Sequence, residues 1–224
     1  MAQKYLSWGE TSVDPLNTSA AEEAYNKGAL FTRVEPGNMT FTRSVRVNLA
    51  KFSLSSENRR ILRKNETISL STTALPTDSY TWEIGKLAKD FYDTKFGKDI
   101  FSANAIKKLC TEPHNFNTLF IYSENEKPLG YAICYMTKNI LHYSYPFYEL
   151  NRAEANMGIG MMTKAVAFAQ EKGLSYVYLG SLQRPTDTYK LQFEGIEWFD
   201  EHTQSWSSNL IAAKTHLSSD ILQA

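Results

Sequence analysis

The strongest constraint on the fold of this chain is the order of its apolar segments after residue 118. Short segments rich in aromatic and β-branched residues favour strands, and they surround one segment of helical periodicity. In order, the segments predict strands at 118–123, 129–136 and 140–145, a helix ending at Gly173, a strand at 176–179, a short helical piece at 189–193 and a strand at 196–199. This order is typical of a mixed α/β sheet with helices packed on it.

The segment Ser69–Ser79 separates this region from the first part of the chain. Its Ser, Thr and Pro content is typical of a linker between two units. We therefore predict a smaller N-terminal region at 1–68 and a larger domain at 80–224. Within the first region, residues 45–52 alternate loosely, as a strand does.

The charge balance excludes a protein whose whole surface binds nucleic acid. The chain has 24 Lys and Arg and 24 Asp and Glu, so its formal net charge is zero. A local basic patch is still compatible with this balance, and one is found on a short predicted helix that begins after Ser55 or Ser56. Its basic residues are Arg59, Arg60, Arg63 and Lys64. These side chains are candidates for phosphate contacts with RNA, with a solvated helix face as the alternative.

Other composition features exclude several classes of protein. Two cysteines, Cys110 and Cys134, are too few for a disulfide framework or a zinc site, and the four histidines show no paired spacing, so no metal is expected. No apolar run approaches the roughly 18 residues of a membrane span. Residues 1–8 do not resemble a secretory signal. We therefore expect a cytoplasmic protein without a membrane partner.

A glycine pair is the sharpest local feature. Residues 156–161 read Asn-Met-Gly-Ile-Gly-Met, at the start of the predicted helix. Glycines at a helix start let a ligand approach the backbone, and the N–H groups of a first turn point at an anion. We therefore predict donor binding by Asn156, Gly158, Ile159 and Gly160. A tight turn without a ligand is the alternative, because this spacing alone is a weak signal.

The order of elements after residue 118 resembles the acyl-CoA N-acyltransferase (GNAT-like) fold. The pyrophosphate loop of that family, Q/R-x-x-G-x-G/A, aligns with residues 155–160, where both glycines match and Ala155 replaces Gln or Arg. This resemblance implies a twisted mixed sheet with helices on both faces, opened near Gly158. It also implies the first alternative function, an N-acyltransferase that uses acetyl-CoA.

A second resemblance covers most of the chain, in scattered segments. Residues 170–180 are similar to the A-R-E-H-G-L-x-Y-V-Y-L-G-Y stretch of arginyl-tRNA–protein transferases and their bacterial leucyl-transferring relatives. Tyr189-Lys190 matches the Tyr-Lys pair that follows in that family. Upstream, residues 59–65 resemble its R-R-V-L-R-R-N string, and residues 28–33 lie where its G-F-R-R lies. The chain is identified as a divergent member of this N-end rule aminoacyltransferase family.

The family resemblance implies transfer of an amino acid from aminoacyl-tRNA to the N-terminal amine of a protein or peptide, without a cofactor. Tyr189 is then a candidate acid for the leaving hydroxyl, and Lys190 is a candidate phosphate ligand. Glu197 keeps the acidic position of the family's F-R-P-x-E motif and is the second candidate catalytic residue. Packing or solvation is the alternative for each side chain.

Several family features are missing. The chain has no cysteine between Arg33 and Val45, where the family has a cysteine cluster, and Ala165 and Ala167 replace two acidic residues. A second alternative is therefore an inactive relative that only binds tRNA or protein N-termini. Glu149 and Glu154 are the acids nearest in sequence to the glycine pair, and each is a candidate base or a surface acid.

Overall fold

The computed structural model describes residues 6–151 and 156–222. Its strands are β1 (Gly9–Ser12), β2 (Ala29–Phe31), β3 (Asn38–Phe41), β4 (Ser44–Asn48), β5 (Ser69–Ala74), β6 (Thr118–Glu124), β7 (Lys127–Met136), β8 (Ile140–Tyr148), β9 (Tyr176–Ser181), β10 (Ile196–Asp200) and β11 (Ser205–Ser207). Its α-helices are α1 (Thr18–Asn26), α2 (Ser56–Lys64), α3 (Trp82–Phe96), α4 (Ala103–Thr111), α5 (Met157–Glu171) and α6 (Leu210–Leu222), and a 3-10 helix spans Pro185–Gln192.

An eight-stranded sheet forms the centre of the fold, in the order β11-β10-β4-β9-β8-β7-β6-β5. Strands β8 and β9 run parallel, and the other neighbouring pairs are antiparallel. A smaller sheet has the order β1-β3-β2. The predicted mixed α/β sheet is confirmed, including the β6–β7 hairpin.

Helices cover both faces of the sheet, as predicted. The alternation along β9 shows the division, because Val177 and Leu179 belong to one apolar cluster and Tyr178 to the other. The first cluster includes residues of α5 and α6, and the second includes residues of α1, α3 and α4. No helix in the described part of the chain is long and apolar enough to span a bilayer.

The predicted linker is wrong for its first half. Residues 69–74 form β5, which pairs with β6 from Ser69 opposite Ser123 to Ala74 opposite Thr118. The strand lies at the sheet edge and is largely exposed, so its Ser and Thr residues give no apolar alternation. The division into 1–68 and 80–224 stays a prediction. Strand β4, from the earlier region, lies between β10 and β9 of the same sheet.

The glycine pair lies inside α5 and not in a loop before it. Gly158 and Gly160 are the second and fourth residues of the helix, which begins at Met157. A Cβ atom at Gly160 would lie 2.7 Å from the side-chain amide of Asn65, at the end of α2. Asn65 is buried and donates from Nδ2 to the Ile61 carbonyl at 2.9 Å. The absent side chain at position 160 therefore lets α2 and α5 approach each other.

We expect Gly160→Ala to destabilise the protein by about 1–3 kcal/mol, since the new methyl group overpacks this contact. The loss outweighs the gain of up to about 1 kcal/mol in helix propensity. Chemical denaturation measures the net change in unfolding free energy. In an Asn65→Ala background the same substitution is expected to cost less. Equal costs in the two backgrounds would contradict the proposed contact.

Candidate functional site

The site begins where β8 and β9 separate. They pair only from Ile140 opposite Tyr176 to His142 opposite Tyr178. Beyond this point β8 follows β7 alone, and the register between those strands shifts around Tyr145. Tyr145 has a φ of 38°, in the left-handed region that side chains other than glycine rarely adopt. The extra residue is a β-bulge, and it bends β8 away from β9 to open a cleft.

Three overlapping cavities make up this cleft, and Tyr92 and Tyr189 line all three. The largest has a volume of about 680 Å³ and extends past Lys190 to His142. The other two lie towards Arg184 and towards the first turn of α5. The cleft thus brings most of the predicted catalytic and donor-binding residues to one place.

Tyr189 lies in the 3-10 helix at the centre of the cleft. The residue is 45% exposed, but loss of water around its hydroxyl within the cleft raises the pKa to about 12, and the carboxylate of Asp187 adds to this effect. The hydroxyl is therefore protonated across the neutral range and can donate a proton or a hydrogen bond.

His142 lies at the inner end of the largest cavity and differs from Tyr189 in its protonation. Burial lowers its pKa to about 3, so its ring, which is hydrogen-bonded to Tyr25 at 2.8 Å, is neutral.

Basic side chains line the part of the cleft away from α5. The Lys190 amine donates to the Ser181 carbonyl at 2.7 Å, and burial lowers its pKa. Arg33 donates to the Ile100 carbonyl at 2.7 Å, and its guanidinium lies 4.3 Å from the Phe101 ring centroid. Arg184 lines the same cavity.

Two acidic side chains of the described residues, Asp187 and Glu10, line the same cavities. Asp187 accepts bonds from the backbone N–H groups of Gln183 and Arg184 at 2.9 and 3.0 Å. Three cations therefore face two carboxylates in this part of the cleft, and the small excess of positive charge suits an anionic ligand.

The first turn of α5 lines the opposite part of the cleft, with Asn156, Gly158 and Ile159 among its residues. Asn156 has a left-handed backbone, and among the described residues its side chain makes no capping bond to this turn. The N–H groups of a first turn have no partner within the helix, and they favour an anion. Gly160 differs from the other predicted donor-binding residues, because its N–H donates to the Asn156 carbonyl at 2.8 Å.

Glu197 lies elsewhere. It is on β10, opposite Arg46 of β4, and accepts bonds from Arg46 at 2.9 Å, Asn48 at 3.3 Å and Lys51 at 3.3 Å. Burial raises its pKa, but these bonds outweigh burial and leave the pKa below its ordinary value. Within the described part of the chain, Glu197 does not line the cleft. Its contacts indicate a structural ion pair.

The basic helix α2 also lies outside the cleft and packs against α5. Its N-cap is Ser55, as predicted. Arg59, Arg63 and Lys64 are exposed, whereas Arg60 forms an ion pair with Glu57 at 2.5 Å. The helix therefore presents three cations on a surface that borders the helix of the glycine pair.

The remaining acidic candidates do not join Tyr189. Glu149 forms an ion pair with Lys127 at 3.4 Å beside a fourth cavity of about 370 Å³, which Tyr189 does not line. Glu154, like Ala155 of the predicted pyrophosphate motif, lies outside the described residues. Arg184 was missed as a site residue because no sequence pattern marks it. Arg33 was also not predicted as a site residue, although the resemblance of residues 28–33 to the family could have indicated it.

Comparison with known families supports the second resemblance. A family model described as the C terminus of arginine-tRNA-protein transferase matches residues 86–200, more than half of the chain. The chain belongs to this family. The match runs from α3 to β10 and therefore includes both strands that open the cleft, α5 and Tyr189.

Within the arginine-tRNA-protein transferase family, one curated relative is the aspartate/glutamate leucyltransferase of Ruegeria pomeroyi. It is 24% identical over 160 residues, which cover 69% of this chain and 58% of the relative. The chain thus matches little more than half of that protein's length.

Solved structures of other proteins are more distant. L-PGS from Bacillus licheniformis has a TM-score of 0.49 and 11% identity over 74% of this chain and 52% of its own. FemX has a TM-score of 0.46 and 9% identity over 75% and 60%. A GCN5-related N-acetyltransferase from Kribbella flavida has a TM-score of 0.34 and 10% identity over 62% and 47%. Scores this low add nothing to the assignment of function.

The position of Glu197 predicts a structural effect of Glu197→Gln. Weakening the ion pair with Arg46 is expected to cost about 1–3 kcal/mol of unfolding free energy at neutral pH. Because the folded-state pKa is lowered, this contribution is present above the unfolded pKa and is lost as the pH falls through the folded pKa. The variant is therefore expected to lose less stability on acidification than the unmodified protein does. Chemical denaturation at several pH values measures this difference in unfolding free energy. Glu66→Gln, at an exposed position, is the control. Unchanged stability in Glu197→Gln would contradict the structural role.

Proposed function

We propose that the chain transfers an amino acid from aminoacyl-tRNA to the N-terminal amine of a protein. Membership of the transferase family supports this reaction, and the observation that carries it is the protonated Tyr189 hydroxyl at the centre of a cleft with an anion-binding group on each side. We infer that the two sides take the two substrates.

The chemistry requires few groups from the protein. The neutral amine attacks the ester carbonyl of the aminoacyl-tRNA, an amide C–N bond forms, and the ester C–O bond to the ribose breaks. The leaving ribose oxygen gains a proton and the attacking amine loses one. Tyr189 can donate its proton to the leaving oxygen and then recover the proton of the amine, so no net proton change and no cofactor are needed. Holding the two substrates in position supplies a further part of the rate enhancement.

The donor is assigned to the α5 side of the cleft. The N–H group of Ile159 is suited to a phosphate near the 3′ end of the tRNA. The N–H group of Gly158 donates to the hydroxyl of Tyr148, which lines the same cavity. The exposed cations Arg59, Arg63 and Lys64 of α2 then provide a second contact further along the RNA, since α2 packs on α5. A longer nucleic acid gains from both contacts, whereas a compact pyrophosphate contacts only the helix end.

We assign the acceptor to the opposite side, beside Arg33 and Arg184. Lys190, which the sequence predicted as a ligand of the donor phosphate, lies on this side as well. Guanidinium groups bind carboxylates in a bidentate geometry, so an acidic N-terminal residue suits this part of the cleft. The name of the Ruegeria pomeroyi relative, an aspartate/glutamate leucyltransferase, is consistent with such an acceptor.

A transfer assay tests the proposal. Purified protein is mixed with tRNAs carrying radiolabelled amino acids and with peptides that begin with Asp, Glu, Lys or Ala. We expect label in the peptides, and most in those that begin with Asp or Glu. A parallel reaction with labelled acetyl-CoA tests the alternative donor. Label from acetyl-CoA and none from any tRNA would make the N-acyltransferase the better interpretation, and binding without transfer would indicate the inactive relative.

Tyr189→Phe removes the proposed acid. We expect the single-turnover rate of transfer to fall by about 10²–10⁴-fold, the usual contribution of a general acid. The affinity for aminoacyl-tRNA should change little, because the ring remains. Tyr176→Phe is the matched control, since Tyr176 contacts Arg46 outside the cleft. Equal rates in Tyr189→Phe and the unmodified protein would contradict the assignment.

The role of α2 is tested by the double variant Arg59→Ala/Arg63→Ala. We expect weaker tRNA binding and a shallower dependence on salt, because each phosphate that the protein no longer neutralises reduces the slope by about one. Lys107→Ala/Lys108→Ala removes the same charge from exposed positions on α4. If both double variants weaken binding equally, the effect comes from net charge and not from a contact at α2.

A further inference from the structure

A group of three metal-ligating side chains lies away from the cleft, where the turn after β10 meets α6. Glu201 and His202 belong to the turn, and His216 is on α6. Glu201 Oε1 lies 3.7 Å from Nδ1 of His216 and 4.0 Å from Nε2 of His202. One ligand atom from each residue lies within 4.8 Å of the other two. The sequence showed no such motif because His202 and His216 are far apart in the chain.

We propose that Glu201, His202 and His216 bind one divalent d-block cation, with zinc as the best fit. Imidazole nitrogen and carboxylate oxygen are common zinc ligands, and two His with one Glu is an established protein ligand set. A tetrahedral site with bonds of about 2.0–2.2 Å places its ligand atoms about 3.3–3.6 Å apart, so ligand atoms up to 4.8 Å apart must approach each other by up to about 1.5 Å. His202 is 74% exposed, so its ring is free to make most of this movement.

Arg43 holds the carboxylate of this group in place. It is fully buried, and it donates to Glu201 Oε2 from Nε at 3.1 Å and to Oε1 from Nη2. Burial raises the pKa of Glu201, but the bonds from Arg43 outweigh burial and keep the pKa low, so the carboxylate is ionised at neutral pH.

The same ion pair limits the strength of the site. A second group that holds a metal ligand in place is typical of metal sites. Here, however, the positive charge of Arg43 partly neutralises the negative charge of Glu201, which weakens the attraction for a cation. We therefore expect micromolar affinity and not the tighter binding of four-ligand structural sites.

A cation at this position would fasten α6 to the sheet. His216 packs edge-to-face against Trp198 of β10, with the ring centroids 5.2 Å apart, and Trp198 Nε1 donates to the Asn209 carbonyl at 3.0 Å. Binding would thus add a bond between elements already in contact. None of the three ligands lines the cleft within the described residues, so the site is separate from the proposed transfer reaction.

Calorimetric titration of the full-length, EDTA-treated protein with zinc chloride tests the proposal. We expect one equivalent to bind at micromolar concentration, and the midpoint of thermal unfolding to rise with added zinc because the cation binds the folded state. His202→Ala and His216→Ala should each weaken binding at least tenfold. His114→Ala, which removes a histidine elsewhere in the chain, should bind as the unmodified protein does.

Two results would overturn the site. One is the absence of zinc binding below about 100 µM, a weak affinity on the usual scale. The other is binding that neither His202→Ala nor His216→Ala reduces. If His216→Ala fails to fold because its ring no longer packs against Trp198, the exposed His202 still decides the outcome.

Discussion

The separation of β8 from β9 after three paired residues is the constraint on which the rest of the site depends. The bulge at Tyr145 turns β8 away, so the two strands leave a gap that other elements line and do not fill. The first turn of α5 lies on one side of this gap and the 3-10 helix with Tyr189 on the other. Without the bulge, continued pairing of β8 with β9 would close the cleft that Tyr189 lines.

The close contact between α2 and α5 connects the cleft to the basic surface. Gly160 permits it, since any side chain there would meet Asn65. The two glycines are therefore needed for different physical reasons. Gly158 borders the cleft, and Gly160 sets the distance between the helices. A donor that reaches both the first turn of α5 and the cations of α2 must be long and anionic, which agrees with the proposed tRNA donor better than with acetyl-CoA.

The sequence predicted the centre of the sheet because apolar runs mark β6 to β9 and helical periodicity marks α5. It missed β5, whose exposed Ser and Thr residues carry no apolar alternation. Tyr189 and Lys190 could be predicted as cleft residues from a local motif. Arg184 could not, since it reaches the cleft only through the path of the 3-10 helix. The family motif marked Glu197, but a motif gives a residue's identity and not its partner, which here is Arg46.

The most direct test of the account is a crystal structure with a non-hydrolysable aminoacyl-adenosine, in which an amide replaces the ester. We predict that this analogue occupies the cleft between β8 and β9, with the amide nitrogen that stands in for the leaving ribose oxygen within hydrogen-bond distance of the Tyr189 hydroxyl. An analogue bound outside the cleft would contradict the account. So would an analogue inside it whose reacting carbonyl lies beyond the reach of Tyr189.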